Sequence, residues 1–201
     1  MMPIARALLP ALVAGTLFSG CATPVGPVEV TRFHLPDTTV LGRGAIRVEP
    51  APGDDGSSIE FRTYAAAVAQ ELTRLGYSEA LPGGPAGSQV ALLHVERETL
   101  APVRRGGPVS VGVGGGTGSY GSGLGVGLGI NLSGPPPEQV ETRLSLVIRD
   151  RVGGQNLWEG RARFAVRANA PLAQTSLGAA KMAQALFRGF PGESGETIVV
   201  P

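Results

Sequence analysis

Two stretches near the C-terminal end, residues 140–150 and 157–166, constrain the fold of this chain most strongly. Apolar side chains or Thr occupy every second position of the first stretch, and apolar side chains recur with the same period in the second. A period of two places such residues on one face of a β-strand, and the turn at residues 151–156 joins the two strands in a hairpin. The inward residues are predicted to be Val140, Thr142, Leu144, Leu146 and Ile148, then Trp158, Ala162, Phe164 and Val166. A sheet with one apolar face needs a second layer to cover it.

Two amphipathic helices are predicted to form that layer. The first follows a capping box at residues 57–60, in which Ser57 accepts a backbone amide, and ends before Gly76. The second starts with Asn169 or a near neighbour as its cap and Pro171 in its first turn, and ends near Pro191. The predicted buried residues are Phe61, Tyr64, Ala65, Val68, Leu72 and Leu75 in the first helix, and Leu172, Ala179, Ala183, Leu186, Phe187 and Phe190 in the second.

Further strands are predicted at residues 28–35, 45–49, 89–97 and 196–200, and the third of these has two apolar faces, as a central strand does. Residues 106–137 alternate aliphatic residues with Gly or Ser around a glycine-rich turn, which predicts a β-hairpin with one nearly bare face. The order of the predicted strands and helices along the chain indicates an α/β fold of the α+β type. It is a two-layer sandwich whose mixed, mostly antiparallel sheet has two helices on one face and a glycine-rich hairpin insertion. That hairpin either contacts a partner by strand addition or packs on its own sheet.

The N-terminal segment has the organisation of a secretory signal. Arg6 precedes an apolar run that ends in the small residues Ser19 and Gly20 and the single cysteine, Cys21. The residues Phe18 to Cys21 resemble the lipobox, a four-residue pattern whose last residue is an acylated cysteine. A bacterial signal peptidase cuts the chain directly before that cysteine. The sequence therefore predicts a signal peptide at 1–20, a lipidated tether at 21–27, and a single periplasmic domain at 28–201. The alternatives are a secreted protein with an incidental cysteine, and a transmembrane anchor, which needs about 20 apolar residues.

Acylation of Cys21 implies a permanent attachment to a membrane. Each buried methylene contributes about 0.8 kcal/mol, so the two or three chains of a bacterial lipoprotein hold firmly where one chain holds weakly. The residue after the cysteine is Ala22. An Asp at this position would resemble the signal that retains lipoproteins in the inner membrane. The expected location is therefore the outer membrane, with the domain facing the periplasm, and the inner membrane is the alternative.

Composition and motifs narrow the function classes. The chain has 17 Lys and Arg against 16 Asp and Glu, so no bulk charge attracts nucleic acid or an anionic membrane. Residues 116–121 match the letters of a dinucleotide-binding fingerprint, but they lie in a predicted hairpin turn and not between a strand and a helix. With one cysteine there is no disulfide framework or cysteine metal site. No cofactor, no metal and no enzymatic activity are predicted.

The polar face of the second hairpin is the candidate binding site. Its outward arginines are Arg143, Arg149, Arg161 and Arg163, with Arg167 as a further candidate, and Glu141 and Glu159 lie among them. Such a face either holds an anionic envelope component, such as a lipid phosphate or a peptidoglycan carboxylate, or consists of solvated cross-strand ion pairs.

The alternative function is an envelope hydrolase or carbohydrate-active enzyme. It requires His34, His94 and a carboxylate in one pocket, and the two histidines meet only if their strands are neighbours. The acidic pairs Asp54/Asp55 and Glu96/Glu98 are predicted to be solvated charges rather than a catalytic pair.

Several segments together resemble a known family. They are residues 28–34 after a lipoprotein start, Glu-Leu-Thr-Arg-Leu-Gly-Tyr at 71–77, the glycine-rich middle, Leu-Trp-Glu-Gly at 157–160, and Ala-Leu-Phe-Arg-Gly-Phe-Pro at 185–191. This pattern resembles the bacterial envelope lipoproteins grouped as domain-of-unknown-function family 4136. The resemblance implies no catalytic residue, because that family has no assigned activity. The expectation is a membrane-anchored envelope lipoprotein whose domain is a non-enzymatic binding or structural module.

Overall fold

The computed structural model describes residues 26–80, 87–101, 109–117, 122–130 and 137–201, with the backbone alone for 109–117 and 122–130. The predictions for Cys21, for the signal peptide and for the tip of the glycine-rich hairpin lie outside the described residues. In this part of the chain the strands are β1 Val28–His34, β2 Ala45–Pro50, β3 Ser78–Glu79, β4 Gln89–Leu100, β5 Val109–Thr117, β6 Ser122–Ile130, β7 Gln139–Asp150, β8 Asn156–Arg167 and β9 Thr197–Val200. The helices are α1 Ile59–Arg74, a single 3-10 turn at Pro171–Ala173, and α2 Thr175–Leu186.

The described strands form a mixed sheet in the order β3-β2-β4-β7-β8-β1-β9. β2 is parallel to β3 and to β4, and the remaining pairs are antiparallel. Side chains of α1 and α2 join one face of this sheet in a single core. The two-layer α/β sandwich is therefore confirmed, with one short strand, β3, that the sequence did not predict. Among the described residues, no helix combines the length and apolar character that crossing a membrane requires.

The β7–β8 hairpin carries the centre of the core, as its alternation predicts. All the predicted inward residues of both strands are buried. Trp158 is fully buried, its ring centroid lies 5.6 Å from that of Phe187 and 5.3 Å from that of Phe190, and its Nε1 donates to the Pro191 carbonyl at 3.0 Å. This cluster ties the sheet to the C-terminal end of α2.

The capping residue predicted for α1 is wrong, and α2 has no side-chain cap. Ser58 caps α1 instead of Ser57, because its Oγ accepts the Phe61 amide at 3.0 Å. Ser57 bonds backward to the Asp55 carboxylate, a local contact that competes with helix formation. Asn169 does not cap the second helix, since the chain first makes the 3-10 turn that starts at Pro171, and α2 then begins without a side-chain cap.

Strands β5 and β6 pair with each other as a separate two-stranded antiparallel sheet, as predicted for residues 106–137. The register sets Val111 opposite Leu128 and Gly112 opposite Gly127. Most aliphatic positions thus oppose aliphatic positions and most glycines oppose glycines, as the alternation indicates, although Gly115 opposes Leu124.

Candidate functional site

The outer face, meaning the sheet face opposite the two helices, carries the charged side chains. Alternation along each strand turns these residues away from the core, and the strand register aligns them in rows. One row runs across β4, β7, β8 and β1 through Glu96, Arg143, Arg163 and Glu29. The next row runs from β4 to β9 through His94, Ser145, Arg161, Thr31 and Thr197.

Glu141 binds two of the four predicted anion-binding arginines. Arg163 donates to its carboxylate through Nε at 3.0 Å and Nη2 at 2.9 Å, and Arg143 Nη2 lies 2.6 Å from the same carboxylate. Arg143 also reaches Glu96 at 3.3 Å. The hydrogen bond from Arg163, with the charges of both guanidinium groups, holds the pKa of Glu141 below its ordinary value, although Glu141 is only 4% exposed. Arg143 and Arg163 are therefore neutralised within the sheet face.

Arg161 and Arg149 are placed differently from that pair. Arg161 has a side chain 67% exposed, its nearest carboxylate is Glu159 at 4.0 Å, and it makes no hydrogen bond within the described part of the chain. Arg149 donates to Asn156 at 2.9 Å and lies six residues from Arg143 along β7, about 20 Å away. Arg143, Arg161 and Arg163 are thus brought together, whereas Arg149 belongs to a different part of the face.

These three arginines surround an open depression of about 360 Å³ on the outer face. This volume is in the range of about 300–1,000 Å³ that ligand sites occupy. Its lining comprises Glu29, Thr31, His94, Glu96, Arg143, Leu144, Ser145, Arg161, Ala162, Arg163 and Thr197. Cations, carboxylates and hydroxyl groups share the surface, and the Thr31 and Thr197 hydroxyls lie 2.8 Å apart. The arrangement suits a polar ligand that bears charges of both signs.

The two histidines lie in different parts of the fold. His94 lines the depression, and its Nδ1 lies 2.8 and 2.9 Å from the oxygens of Asp54, so the carboxylate fixes the ring. His34 bonds to the carbonyls of Leu35 and Gly192 at 2.7 and 3.1 Å. Strands β7 and β8 separate their two strands, so the histidines do not meet in one pocket. Among the described residues, no group of three or more His, Cys, Asp or Glu is arranged to hold a metal.

The sequence did not identify Glu29, Thr31, Ser145 or Thr197 as site residues. The alternation of Glu29 and Thr31 with buried Val28 and Val30 marks them as outward. Their place in the site depends on the pairing of β1 with β8 and β9, which joins residues more than a hundred positions apart. No local pattern contains that pairing.

Glu141→Gln is expected to reduce stability at neutral pH by about 1 kcal/mol, because two guanidinium groups lose a charged acceptor. A carboxylate whose pKa is lowered by folding stabilises the folded state above its unfolded pKa, and this contribution disappears as the pH falls through the folded pKa. The difference between wild type and variant should therefore shrink as the pH falls below about 4.3, the ordinary glutamate pKa. Urea denaturation across this range measures it, and a difference that stays constant into acid would contradict the assignment.

The structure defines a two-layer α/β domain with a ligand-sized depression, lined by charged, hydroxyl and apolar side chains, on the sheet face that carries no helices. No protein-family model matches the chain. The chain is 30% identical to the uncharacterized protein ZMO1243 of Zymomonas mobilis, over 85% of this chain and 79% of that protein. It belongs to the same family as that protein. The resemblance to family 4136 stays a prediction.

Two solved structures are similar to this chain at low sequence identity. A PDZ domain protein from Parabacteroides distasonis has a TM-score of 0.47 and 11% identity, covering 87% of this chain and 39% of that chain. The PelC dodecamer from Paraburkholderia phytofirmans has a TM-score of 0.38 and 12% identity, covering 79% of this chain and 96% of that chain. At these TM-scores neither likeness bears on function.

Proposed function

We propose that this protein is a lipoprotein of the bacterial envelope, anchored in the outer membrane by acyl chains on Cys21. Its domain faces the periplasm and acts as a non-enzymatic binding module. The observation that carries the proposal is the segment Phe18 to Cys21, which resembles a lipobox at the end of a secretory signal. The inner membrane is the alternative location.

The start of the fold supports a tether between lipid and domain. β1 begins at Val28, which is fully buried, so the domain is packed from this residue onward. Six residues separate Cys21 from Val28, and an extended chain of that length spans about 20 Å. The domain is therefore held close to the membrane surface.

The outer-face depression supports a binding role for the domain. It combines charged and hydroxyl side chains in a ligand-sized volume, while the two histidines needed for the alternative hydrolase site lie apart. A contact between the glycine-rich hairpin and an envelope protein remains a second proposed interaction, by strand addition to β5 or β6.

Cys21→Ser is expected to release the protein from membranes and to abolish incorporation of a labelled fatty acid, because serine has no thiol to acylate. Thr23→Ser, a tether substitution that leaves the cysteine intact, should remain labelled and membrane-bound. Cell fractionation after metabolic labelling measures both properties. Equal membrane retention and labelling of the Cys21→Ser protein would refute the proposal.

A further inference from the structure

We propose that the outer-face depression binds the zwitterionic phosphoethanolamine headgroup of a membrane phospholipid, with Arg161 on the phosphate and Glu29 on the ammonium. This inference rests on the proposed function, since it places the ligand in the membrane that holds the acylated chain. It assigns a ligand class to a site whose charges would otherwise be read as solvated ion pairs.

The pairing pattern within the depression selects these two residues. Arg143 and Arg163 are both engaged by the buried carboxylate of Glu141, and Glu96 is engaged by Arg143. Arg161 and Glu29 form no hydrogen bond with any described residue. The nearest carboxylate to Arg161 is Glu159 at 4.0 Å, and Glu29 lies opposite Arg163 and interacts with it through its charge alone, without an ion pair within 4.0 Å. In the described part of the depression, Arg161 and Glu29 are thus the cation and the carboxylate that no hydrogen bond holds in place, so both can turn toward a ligand.

Strand register places this cation and this carboxylate side by side. Arg161 lies directly opposite Thr31, so Glu29, two residues earlier on β1, is its diagonal neighbour. Diagonal neighbours on one sheet face are about 7–8 Å apart, within reach of long side chains. A headgroup whose phosphate and ammonium are joined by an ethyl spacer matches a cation and an acid at this separation, whereas a simple anion leaves Glu29 as a repulsive neighbour.

Hydroxyl groups flank Arg161 on both neighbouring strands. Ser145 on β7 and Thr31 on β1 are its direct cross-strand partners, and both line the depression. A phosphate presents several acceptor oxygens, so a guanidinium with a hydroxyl donor on each side suits it better than an isolated cation.

Two residues of the depression lie close in the sequence to the proposed lipid anchor, which favours a membrane lipid as the ligand. Glu29 and Thr31 are the second and fourth residues of β1, so they lie within about 13 Å of the end of the tether. A short tether gives nearby headgroups a high effective concentration, and a weak site is then sufficient. Phe33 and Val199 project from the same face and are 43% and 62% exposed, which provides apolar contact at a membrane interface.

The test titrates soluble headgroups into the full-length wild-type protein purified in an uncharged detergent. We expect glycerophosphoethanolamine to bind, and glycerophosphoglycerol and inorganic phosphate, which lack the ammonium, to bind at least tenfold more weakly. Arg161→Gln and Glu29→Gln should each weaken glycerophosphoethanolamine binding at least tenfold. Arg62→Gln removes an exposed arginine of α1, in the helix layer and outside the depression, and should leave binding unchanged.

The Glu29→Gln variant separates a bipolar site from a site for anions alone. Removing a carboxylate from an anion site strengthens binding, so tighter binding of glycerophosphoethanolamine by this variant would overturn the proposal. Unchanged binding by the Arg161→Gln variant would also overturn it, as would binding of soluble cell-wall muropeptides with no binding of either headgroup. The titration uses protein in solution, so its result is read independently of whether Cys21 carries acyl chains.

Discussion

Trp158→Ala is expected to reduce the free energy of unfolding by about 3–5 kcal/mol, the range for truncating a buried tryptophan. The ring is fully buried and packs against Phe187 and Phe190 at the C-terminal end of α2. Truncation leaves a cavity between the sheet and that helix, and it leaves the Pro191 carbonyl without the indole donor. Because domains of this size have only about 5–15 kcal/mol of stability, the loss is a large fraction of the total.

Far-UV circular dichroism during urea denaturation measures this effect, since Trp158 is the single tryptophan and its fluorescence disappears with it. Trp158→Phe serves as the matched control, because it keeps an aromatic ring but loses the N–H donor. It should cost less than the alanine substitution. A loss below about 1 kcal/mol for Trp158→Ala, the size of an ordinary substitution, would mean that this cluster does not hold the two layers together.

Gly160→Ala is expected to have the second largest effect on stability, about 1–3 kcal/mol, through overpacking. A Cβ at this position would lie 2.7 Å from Cζ3 of Trp158 and 2.8 Å from Cδ1 of Leu186. Gly160 also faces the buried strand residue Arg32 across the β1–β8 pair. The methyl group therefore has to displace the tryptophan ring or the helix above it.

A double-mutant cycle tests the cause of that effect. If the methyl group acts by displacing the indole, Gly160→Ala should cost much less when Trp158 has already been replaced by Leu, which gives a coupling of about 0.5–3 kcal/mol. Purely additive losses would contradict this explanation. They would place the cost in the strand backbone, where glycine and alanine also differ.

The elements that could be predicted from the sequence are those determined by residues close together in the chain. The alternation in β7 and β8 depends on residues two positions apart, and the apolar face of α1 on residues three or four apart, so both could be recognised without the fold. The cap of α1 was missed by one residue, because Ser57 and Ser58 carry the same hydroxyl and Ser57 bonds instead to Asp55. The short strand β3 depends entirely on its parallel neighbour β2.

The site was predicted only in part, because its decisive contacts join distant strands. An outward arginine face was predicted, but the burial of Glu141 between Arg143 and Arg163 was not. That contact leaves Arg161 as the available guanidinium of the described depression. The partner that makes it selective, Glu29, is contributed by a strand more than a hundred residues away.

The central claim is that Cys21 begins the mature chain and carries lipid. Intact-mass and peptide mass spectrometry of the protein purified from membranes tests this most directly. We expect an N-terminal peptide that starts at Cys21, without residues 1–20, and that carries a diacylglyceryl group with or without a further acyl chain. A mature chain that starts at another residue, or one that has a free thiol at Cys21, would contradict the claim.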